Sequence, residues 1–290
     1  DDQGGNPGGY AGGGAILINR TTTELIFDRI IFRNNNASQS SYHTGGGAVF
    51  ISVKRGSISP KFIECAFINN RITNKDENDN SNAYGGAVAI EPAWDDYDGS
   101  TLPLDESAVI FDRCYFEGNI AELNSNNNNN SPSGAAIYAM ANIIIRNSLF
   151  VNNKIINSNN NNSSNNTIKL QPEYMDKNIN QRVSGRALLI NNTFYDNKTQ
   201  KVVYLESSTD NLNVHVYNNI FSEYQSVAIG LGFQVDLDSD HNLFDKKDGN
   251  YEGLEISDNA GGQNDIIEPP KFKNSSTGDF RLSNNSPAVD

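Results

Sequence analysis

The sequence predicts an all-β chain wound into a right-handed parallel β-helix of roughly eight coils. Three observations predict this fold: a Phe that recurs with an Asn three residues later, a Gly-Gly-Ala strand that alternates with it, and the absence of a sustained helical period. The repeated pairs are Phe32/Asn35, Phe67/Asn70, Phe116/Asn119, Phe150/Asn153 and Phe194/Asn197, and Phe221 and Phe244 continue the series without the Asn. Their uneven spacing suits stacked coils better than propeller blades, which need a steadier period.

The first element of each repeat is a short strand that follows a glycine pair. Gly13-Gly14-Ala15, Gly46-Gly47-Ala48 and Gly85-Gly86-Ala87 each precede an apolar run, and Gly134-Ala135-Ala136 is a weaker copy. Later copies lose the glycines and keep the strand. The pattern predicts a turn followed by a strand in every coil.

The second element is an alternating segment that ends at the repeated Phe. Leu25 and Phe27, for example, lie seven and five residues before Phe32, which is the period of a strand. Equivalent positions in stacked coils lie about 4.8 Å apart. We therefore expect the Phe rings to stack inside and the Asn amides to form a ladder that satisfies their donors and acceptors from coil to coil. These positions are interpreted as structural.

The two cysteines occupy equivalent positions in neighbouring coils. Cys65 and Cys114 each precede their Phe by two residues. A disulfide is feasible by distance, but nearly parallel Cβ vectors suit the bond poorly, so two buried free thiols are favoured. Three residues before the Phe, Arg29, Glu64 and Arg113 predict a surface ladder of alternating charge.

The chain is interpreted as a single domain over residues 1–290, interrupted by polar insertions. Its parts are an irregular entry at 1–11, Asn/Ser-rich loops at 74–82, 124–133 and 157–166, inserts at 91–106 and 171–184, and a closing segment at 245–290.

Composition excludes several classes of protein. The 290 residues include 22 Lys and Arg, 35 Asp and Glu, and 45 Asn, which gives a net charge of -13. Such acidity argues against nucleic-acid binding, and no apolar run is long enough for a transmembrane helix. The start at Asp1 has no basic and apolar leader, so we expect a signal peptide to be absent from this chain. With no CxxC motif and two cysteines, a structural zinc site is not expected.

The alternation of Gly-Gly-Ala strands with Phe-x-x-Asn resembles the repeat pair of chlamydial polymorphic membrane proteins, surface adhesins whose passengers are right-handed β-helices. The segment Gly278-Asp279-Phe280-Arg281-Leu282 followed by Asn285-Ser286-Pro287-Ala288 is similar to the closing segment of secreted bacterial β-helix proteins, where it often precedes a sorting or anchoring domain. The resemblance implies a secreted or cell-surface location.

On these grounds we expect a non-catalytic surface or secreted module for adhesion, or for binding a glycan or another surface protein. The alternative is a polysaccharide lyase or glycoside hydrolase, which would need a Lys or Arg base with a cation such as Ca²⁺, or clustered carboxylates. Lys169, Arg182 and Arg186 are the candidate bases. No cofactor is required, and Ca²⁺ is the one ion that the residues could use.

Two segments carry the candidate site residues. In the 91–106 insert, the aromatic faces of Trp94 and Tyr97 could contact sugar rings, and the carboxylates could bond hydroxyls or hold Ca²⁺. The insert's five candidate residues are Trp94, Asp95, Asp96, Tyr97 and Asp98. Near the end of the repeats, Asp236, Asp238 and Asp240 alternate just before His241, a pattern that could bind a hard cation.

Overall fold

The chain folds as a parallel β-helix. The computed structural model describes residues 11–19, 24–39, 43–53, 58–74, 82–92, 107–124, 131–157, 165–176, 181–208, 212–253 and 261–289. Apart from two antiparallel hairpins, the strands within these residues pair in parallel with the equivalent strand of the next coil, so that successive coils build long sheets that run along the solenoid. The all-β solenoid predicted from the repeats is therefore confirmed.

Three long sheets enclose the core. Sheet 1 contains β2 (Ile16–Asn19), β7 (Val49–Val53), β12 (Val88–Pro92), β16 (Ile137–Ala139), β20 (Asn166–Leu170), β25 (Lys201–Leu205), β28 (Val227–Leu231) and β31 (Tyr251–Gly253). Sheet 2 contains β3 (Ile26–Asp28), β8 (Lys61–Ile63), β13 (Val109–Asp112), β17 (Ile143–Arg146), β23 (Arg186–Ile190), β26 (Leu212–Tyr217) and β29 (Val235–Asp240). Sheet 3 contains β4 (Ile31–Arg33), β9 (Ala66–Ile68), β14 (Tyr115–Glu117), β18 (Leu149–Val151), β24 (Thr193–Tyr195), β27 (Ile220–Ser222), β30 (Leu243–Phe244) and β32 (Ile266–Ile267).

Smaller sheets accompany the first coils and the inserts. Sheet 4 contains β5 (Asn36–Gln39), β10 (Arg71–Asn74), β15 (Ile120–Leu123) and β19 (Lys154–Asn157), and sheet 5 contains β1 (Ala11–Gly12), β6 (His43–Gly45) and β11 (Asn82–Tyr84). Two antiparallel hairpins pair β21 (Glu173–Asp176) with β22 (Gln181–Ser184), and β33 (Phe272–Asn274) with β34 (Asp279–Leu282). A 3₁₀ turn at Ser275–Thr277 joins the last two strands.

The repeated Phe side chains form one continuous stack inside the solenoid. Successive ring centroids lie 4.6–5.3 Å apart with nearly parallel planes. The stacked residues are Phe32, Phe67, Phe116, Phe150, Phe194, Phe221 and Phe244. A second, shorter stack of Phe27, Phe62 and Phe111 lies beside it, with centroids 4.7 and 5.0 Å apart. Burial of these rings contributes to the apolar core together with the aliphatic side chains of the sheets.

The Asn residues three positions after the Phe form a hydrogen-bonded ladder, in the order Asn35, Asn70, Asn119, Asn153 and Asn197. At Asn119, Nδ2 donates both to Asn153 Oδ1 in the next coil and to the Phe67 carbonyl in the previous coil, each at 2.9 Å. Asn70 Nδ2 donates to Asn119 Oδ1 at 3.0 Å. Each interior carboxamide thus joins three consecutive coils.

A second ladder lies at the position two residues before the Phe. Asn192, Asn219 and Asn242 donate along it in the same direction, and it ends at Asp265 Oδ1. The sequence analysis missed this ladder, although a recurring Asn-x-Phe could have shown it. In earlier coils the same position holds Cys65 and Cys114, which are free and buried, as the sequence favoured.

The residue three positions before each Phe turns the chain outward. Its φ lies between 53° and 58°, in the left-handed region where Asn is tolerated better than most residues. The expected charge ladder at this position is only partly formed: Glu64 and Arg113 pair at 3.0 Å, whereas Arg29 pairs with its neighbour Asp28 at 2.8 Å.

Several segment boundaries differ from those expected from the sequence. Strands extend into the polar loops, because Asn74, Asn82, Asn157 and Asn166 all pair with neighbouring coils. The 171–184 insert contains an antiparallel hairpin. The closing segment at 245–290 is not separate from the repeats, since β31 and β32 still add strands to sheets 1 and 3.

Candidate functional site

The predicted sugar-contact residues Trp94, Asp95, Asp96, Tyr97 and Asp98 lie outside the residues that the structure describes. The described chain reaches Glu91 and Pro92 at the end of β12. The role of the insert as a contact surface stays a prediction.

The three aspartates of β29, predicted to bind a hard cation, lie along one strand and do not converge on one point. Asp236, Asp238 and Asp240 all point to the outer face of sheet 2, because Leu237 packs against the core. Asp238 lies 3.0 Å from His215 Nδ1, whereas Asp240 accepts hydrogen bonds from Asn264. Each of these two carboxylates has its own partner, and within the described part of the chain no three acidic, His or Cys side chains converge on a metal position.

The candidate bases are also separated. Lys169 lies in sheet 1, where its Nζ is 2.8 Å from a Glu206 carboxylate oxygen, and Arg186 begins β23 in sheet 2. Arg182 lies in the β21–β22 hairpin. Lys169 is therefore held in a partly buried ion pair with Glu206.

A buried carboxyl lies on the outer face of sheet 1. Glu91 is 4% exposed, and its burial raises its pKa to about 7. Tyr84 and Tyr138 stack nearby with ring centroids 4.1 Å apart, and burial raises the pKa of Tyr84 to about 12. Taking these groups out of water disfavours their charged forms.

The C-terminal segment folds back over the outside of sheet 3. The Tyr195 ring contacts Phe280 at a centroid distance of 5.0 Å and Phe272 at 5.9 Å. Ser283 bonds back to the Lys271 carbonyl, and Ser286 Oγ donates to the Pro270 carbonyl. The ring contacts hold the segment against Tyr195 of sheet 3, and the two hydrogen bonds close the segment on itself.

A groove of about 450 Å³ runs between this segment and the last coils. We call it the terminal groove. Its floor is the outer face of sheet 3, one wall is the C-terminal segment, and the other wall is the outward turn between sheets 2 and 3. The lining residues are Thr193, Ile220, Leu243 and Ile266 on the floor, Leu282, Pro287 and Ala288 on one wall, and Asn191, Asn218, His241 and Asn264 on the other.

The polar wall is a regular row. Each member lies two residues before an aligned strand residue of sheet 3, as the pairing of Ile220 with Leu243 and of Leu243 with Ile266 shows. We call Asn191, Asn218, His241 and Asn264 the turn row. All four side chains are exposed. Since coils stack, the row presents one polar side chain about every 4.8 Å along the solenoid.

Hydrogen bonds leave much of the turn row open to a ligand. Asn191 donates to Asn147 Oδ1 at 3.3 Å, and Asn264 donates to Asp240 at 2.8 Å, so the carbonyl oxygens of both amides stay free of these bonds. Within the described part of the chain, the Asn218 side chain forms no hydrogen bond. Its amide can therefore donate and accept in the groove.

His241 lies beside a carboxylate. Its Nδ1 is 3.1 Å from Asp240 Oδ2, a charge contact, and hydrogen bonds from Asn264 lower the pKa of Asp240. The exposed imidazole can donate or accept through its ring nitrogens. The groove thus combines amides with one basic nitrogen.

Sequence reasoning missed the terminal groove because its walls come from two distant segments. His241 was considered only as a neighbour of the three aspartates. No protein-family model matches the chain, and no curated protein matches it either. In the described residues there is no helix with the length and apolar character needed to cross a membrane.

Proposed function

We propose that the protein is a β-helix module that binds an extended partner in the terminal groove, at a cell surface or in the extracellular space. The observation that carries the proposal is the turn row: four outward polar side chains, repeated coil by coil, face the aliphatic side chains of Ile220, Ile266 and Leu282 across the groove. A concave surface on which several polar side chains converge beside apolar ones is a common place for a ligand to bind.

The repetition favours a long ligand over a compact one. Asn218 and His241 occupy the same position in successive coils, so a chain that runs along the solenoid meets a similar environment at each step. Each coil of such a surface adds a small amount of binding free energy, and solenoids commonly bind extended partners in this way. Adhesion is the activity that such binding would serve. The extracellular location is proposed from the resemblance of the repeats and of the closing segment.

A second candidate function is catalysis on a polysaccharide, and the Asp240–His241 pair favours it. An imidazole beside a carboxylate can act as a general base, and His241 Nδ1 lies 3.1 Å from Asp240 Oδ2. A lyase or hydrolase would place its substrate in the same groove. Binding and turnover must therefore be measured together.

The test uses variants that suit the left-handed turn positions. Asn218→Gly removes the amide without a backbone penalty, because glycine adopts the φ of 56° found there. His241→Asn removes the basic nitrogen but keeps a polar side chain that tolerates this φ. Asn213→Ala, at an exposed position of β26 outside the groove, is the matched control.

Each protein is screened for binding to a glycan array and to surface-protein extracts, and for depolymerisation of alginate, pectin and chondroitin. We expect binding by the wild type that falls at least about tenfold in Asn218→Gly and is unchanged in Asn213→Ala. Full binding by Asn218→Gly would refute the proposal that the terminal groove is the binding site. The 91–106 insert would then be the next candidate, and the double variant Trp94→Ala, Tyr97→Ala would test it. Turnover that disappears in His241→Asn would establish the catalytic candidate.

A further inference from the structure

We propose that the last strand of sheet 2 is a docking site for a short β-strand of a partner protein, in which basic side chains alternate with apolar ones. The site is formed by residues 235–238 of β29, which we call the open edge. None of these residues lines the terminal groove, so the open edge is a second binding site that does not depend on the proposed function.

Sheet 2 ends one strand earlier than the two sheets beside it. The last coil adds β31 to sheet 1 and β32 to sheet 3, whereas among the described residues no strand pairs with β29 on the side away from β26. The end of β29 is covered, because Gly262 packs so closely on Ser239 and Asp240 that a larger side chain would clash there. Residues 235–238 are thus the part of the strand that a partner can pair with.

The backbone of the open edge has unpaired hydrogen-bonding groups. The Leu212 N–H of β26 donates to the Gln234 carbonyl at 2.8 Å, so the even-numbered residues of β29 face β26. The N–H and carbonyl groups of Val235 and Leu237 therefore face the other way, and within the described part of the chain they have no hydrogen-bond partner. Groups spaced in this way match the backbone of another extended strand, which would add to the sheet.

The inward side of the open edge lies at the end of the core. Val235 and Leu237 pack against the core cluster but are only partly buried, whereas Val214 and Val216 of the preceding strand are fully buried. An added strand with apolar inward residues would bury Val235 and Leu237 in the same way.

The sequence of this chain does not supply such a strand. Asp265 accepts a hydrogen bond from the Asn242 N–H, 23 residues earlier, so one coil corresponds to 23 residues at this end. The same offset assigns to the open edge four residues without a large apolar side chain, namely Asp258, Asn259, Ala260 and Gly261.

A second copy of the chain does not fit the open edge either. End-to-end stacking would place β3, the first strand of sheet 2, on β29. Sheets 1 and 3 extend one strand beyond sheet 2, so β31 and β32 would meet the other copy before β3 reached β29. The partner is therefore a single strand that lies between them.

The outward side of the open edge is acidic. Asp236 and Asp238 are exposed, and Asp236 forms no ion pair within the described residues, whereas Asp238 lies 3.0 Å from His215 Nδ1. Outward side chains of an added strand would lie beside these carboxylates, where opposite charges attract. Lys or Arg suits those places, and the net charge of -13 attracts a basic partner from a distance.

Hydrogen exchange measured by NMR on the free protein tests the open edge itself. The amide N–H groups of Val235 and Leu237 should exchange at least about tenfold faster than those of Asp236 and Asp238, which face β26. Equal protection of all four would show that other residues of this chain already cover the edge, and it would overturn the proposal.

The probe for the partner is KVKVKVK, a capped peptide in which lysine and valine alternate. It should slow exchange at Val235 and Leu237 and bind at least about tenfold more tightly than EVEVEVE or the non-alternating KKVVVKK, with an affinity that falls as salt is added. No protection at a peptide concentration of about 1 mM, or equal binding of the three peptides, would refute the docking site.

Backbone methylation separates strand pairing from charge attraction. One form of the KVKVKVK peptide carries N-methyl groups on its lysines and another on its valines. Because the N–H groups of alternate residues face opposite sides of a strand, only one form should lose binding, by at least about tenfold, and it reports the direction of the added strand. Unchanged binding of both forms, or an equal loss in both, would rule out strand pairing.

Variants of the open edge complete the test. Leu237→Pro removes an N–H that makes no bond to β26, and proline is tolerated on edge strands; Leu237→Ala is the matched control that shortens the side chain but keeps the N–H. Binding of KVKVKVK should fall at least about tenfold in Leu237→Pro and about 2- to 5-fold in Leu237→Ala. Asp236→Asn should weaken it about 2- to 5-fold at low salt, and Glu223→Gln, which changes an exposed carboxylate elsewhere, should not. Equal binding by Leu237→Pro and the wild type would contradict the proposal. If circular dichroism shows that Leu237→Pro is unfolded, the methylated peptides decide.

Discussion

Replacing Asn119 by Ala tests the amide ladder at its centre. The Asn119 side chain is fully buried and takes part in four hydrogen bonds. Its Oδ1 accepts from the backbone N–H and from Nδ2 of Asn70, both at 3.0 Å. Its Nδ2 donates to the Phe67 carbonyl and to Asn153 Oδ1, both at 2.9 Å. Water cannot reach the site to replace these partners.

The structure sets the size of the effect. Each lost bond costs about 0.5–1.5 kcal/mol net, and the two Asn70 donors that are left unpaired cost about 1–3 kcal/mol each. These contributions overlap, so we expect the free energy of unfolding to fall by about 4 kcal/mol. Urea denaturation followed by circular dichroism measures the change, with the slope of the transition compared as a check on cooperativity.

Two further variants make the result specific to the ladder. Asn35 lies at the start of the ladder, where its Nδ2 donates one bond of 2.8 Å to Asn70, so Asn35→Ala should cost only about 1 kcal/mol. Asn119→Asp keeps an acceptor for Asn70 but turns an oxygen toward the Phe67 carbonyl, so it should destabilise at least as much as Ala. Equal losses for Asn35→Ala and Asn119→Ala would refute the reasoning.

Three other outcomes follow from buried groups. Burial raises the pKa of Glu91 to about 7, so the contribution of this carboxyl to the free energy of unfolding is fully present below its usual pKa and is lost as pH rises through about 7. Between pH 5 and 8 the wild type should therefore lose about 3 kcal/mol relative to Glu91→Gln. Parallel pH profiles of the unfolding free energy for the two proteins would contradict this. Phe150→Ala should cost about 3–5 kcal/mol in urea unfolding because it opens a cavity within the ring stack, and a cost under about 1 kcal/mol would exclude a packed stack. Thiol titration of the denatured, unreduced protein should find Cys65 and Cys114 both free, whereas a lack of reactive thiol would show a disulfide.

The repeats allowed the interior to be predicted, because stacking forces one environment on every equivalent position. Phe116 and Asn119 recur at fixed spacing for that reason, and their neighbours in the next coil are Phe150 and Asn153. The second ladder is less uniform in sequence, because the residue two positions before the Phe is Cys or Ser in earlier coils and Asn in later ones. A single repeated motif therefore does not reveal it.

The candidate site could not be predicted in the same way. The terminal groove exists because Phe280, in a segment without the repeat, packs on Tyr195 in the wall. The spacing of residues in the sequence does not show which part of the solenoid such a segment packs against. His241 illustrates the result: by sequence it follows three aspartates, and in space it stands in a row with Asn218.

The direction of the second ladder has a consequence for how the solenoid stops. The side-chain amides of Asn192, Asn219 and Asn242 each donate a hydrogen bond to the following coil, the last of them a long one of 3.5 Å to Asp265 Oδ1. Asp265 receives this series, and its other oxygen accepts from the Tyr251 hydroxyl and from the Gly262 N–H. Both Asp265 oxygens thus act as acceptors, and no carboxamide takes the next place in the ladder within the described residues. The ladder therefore has a direction along the solenoid: its amides donate toward the C-terminal coils, and its last member only accepts.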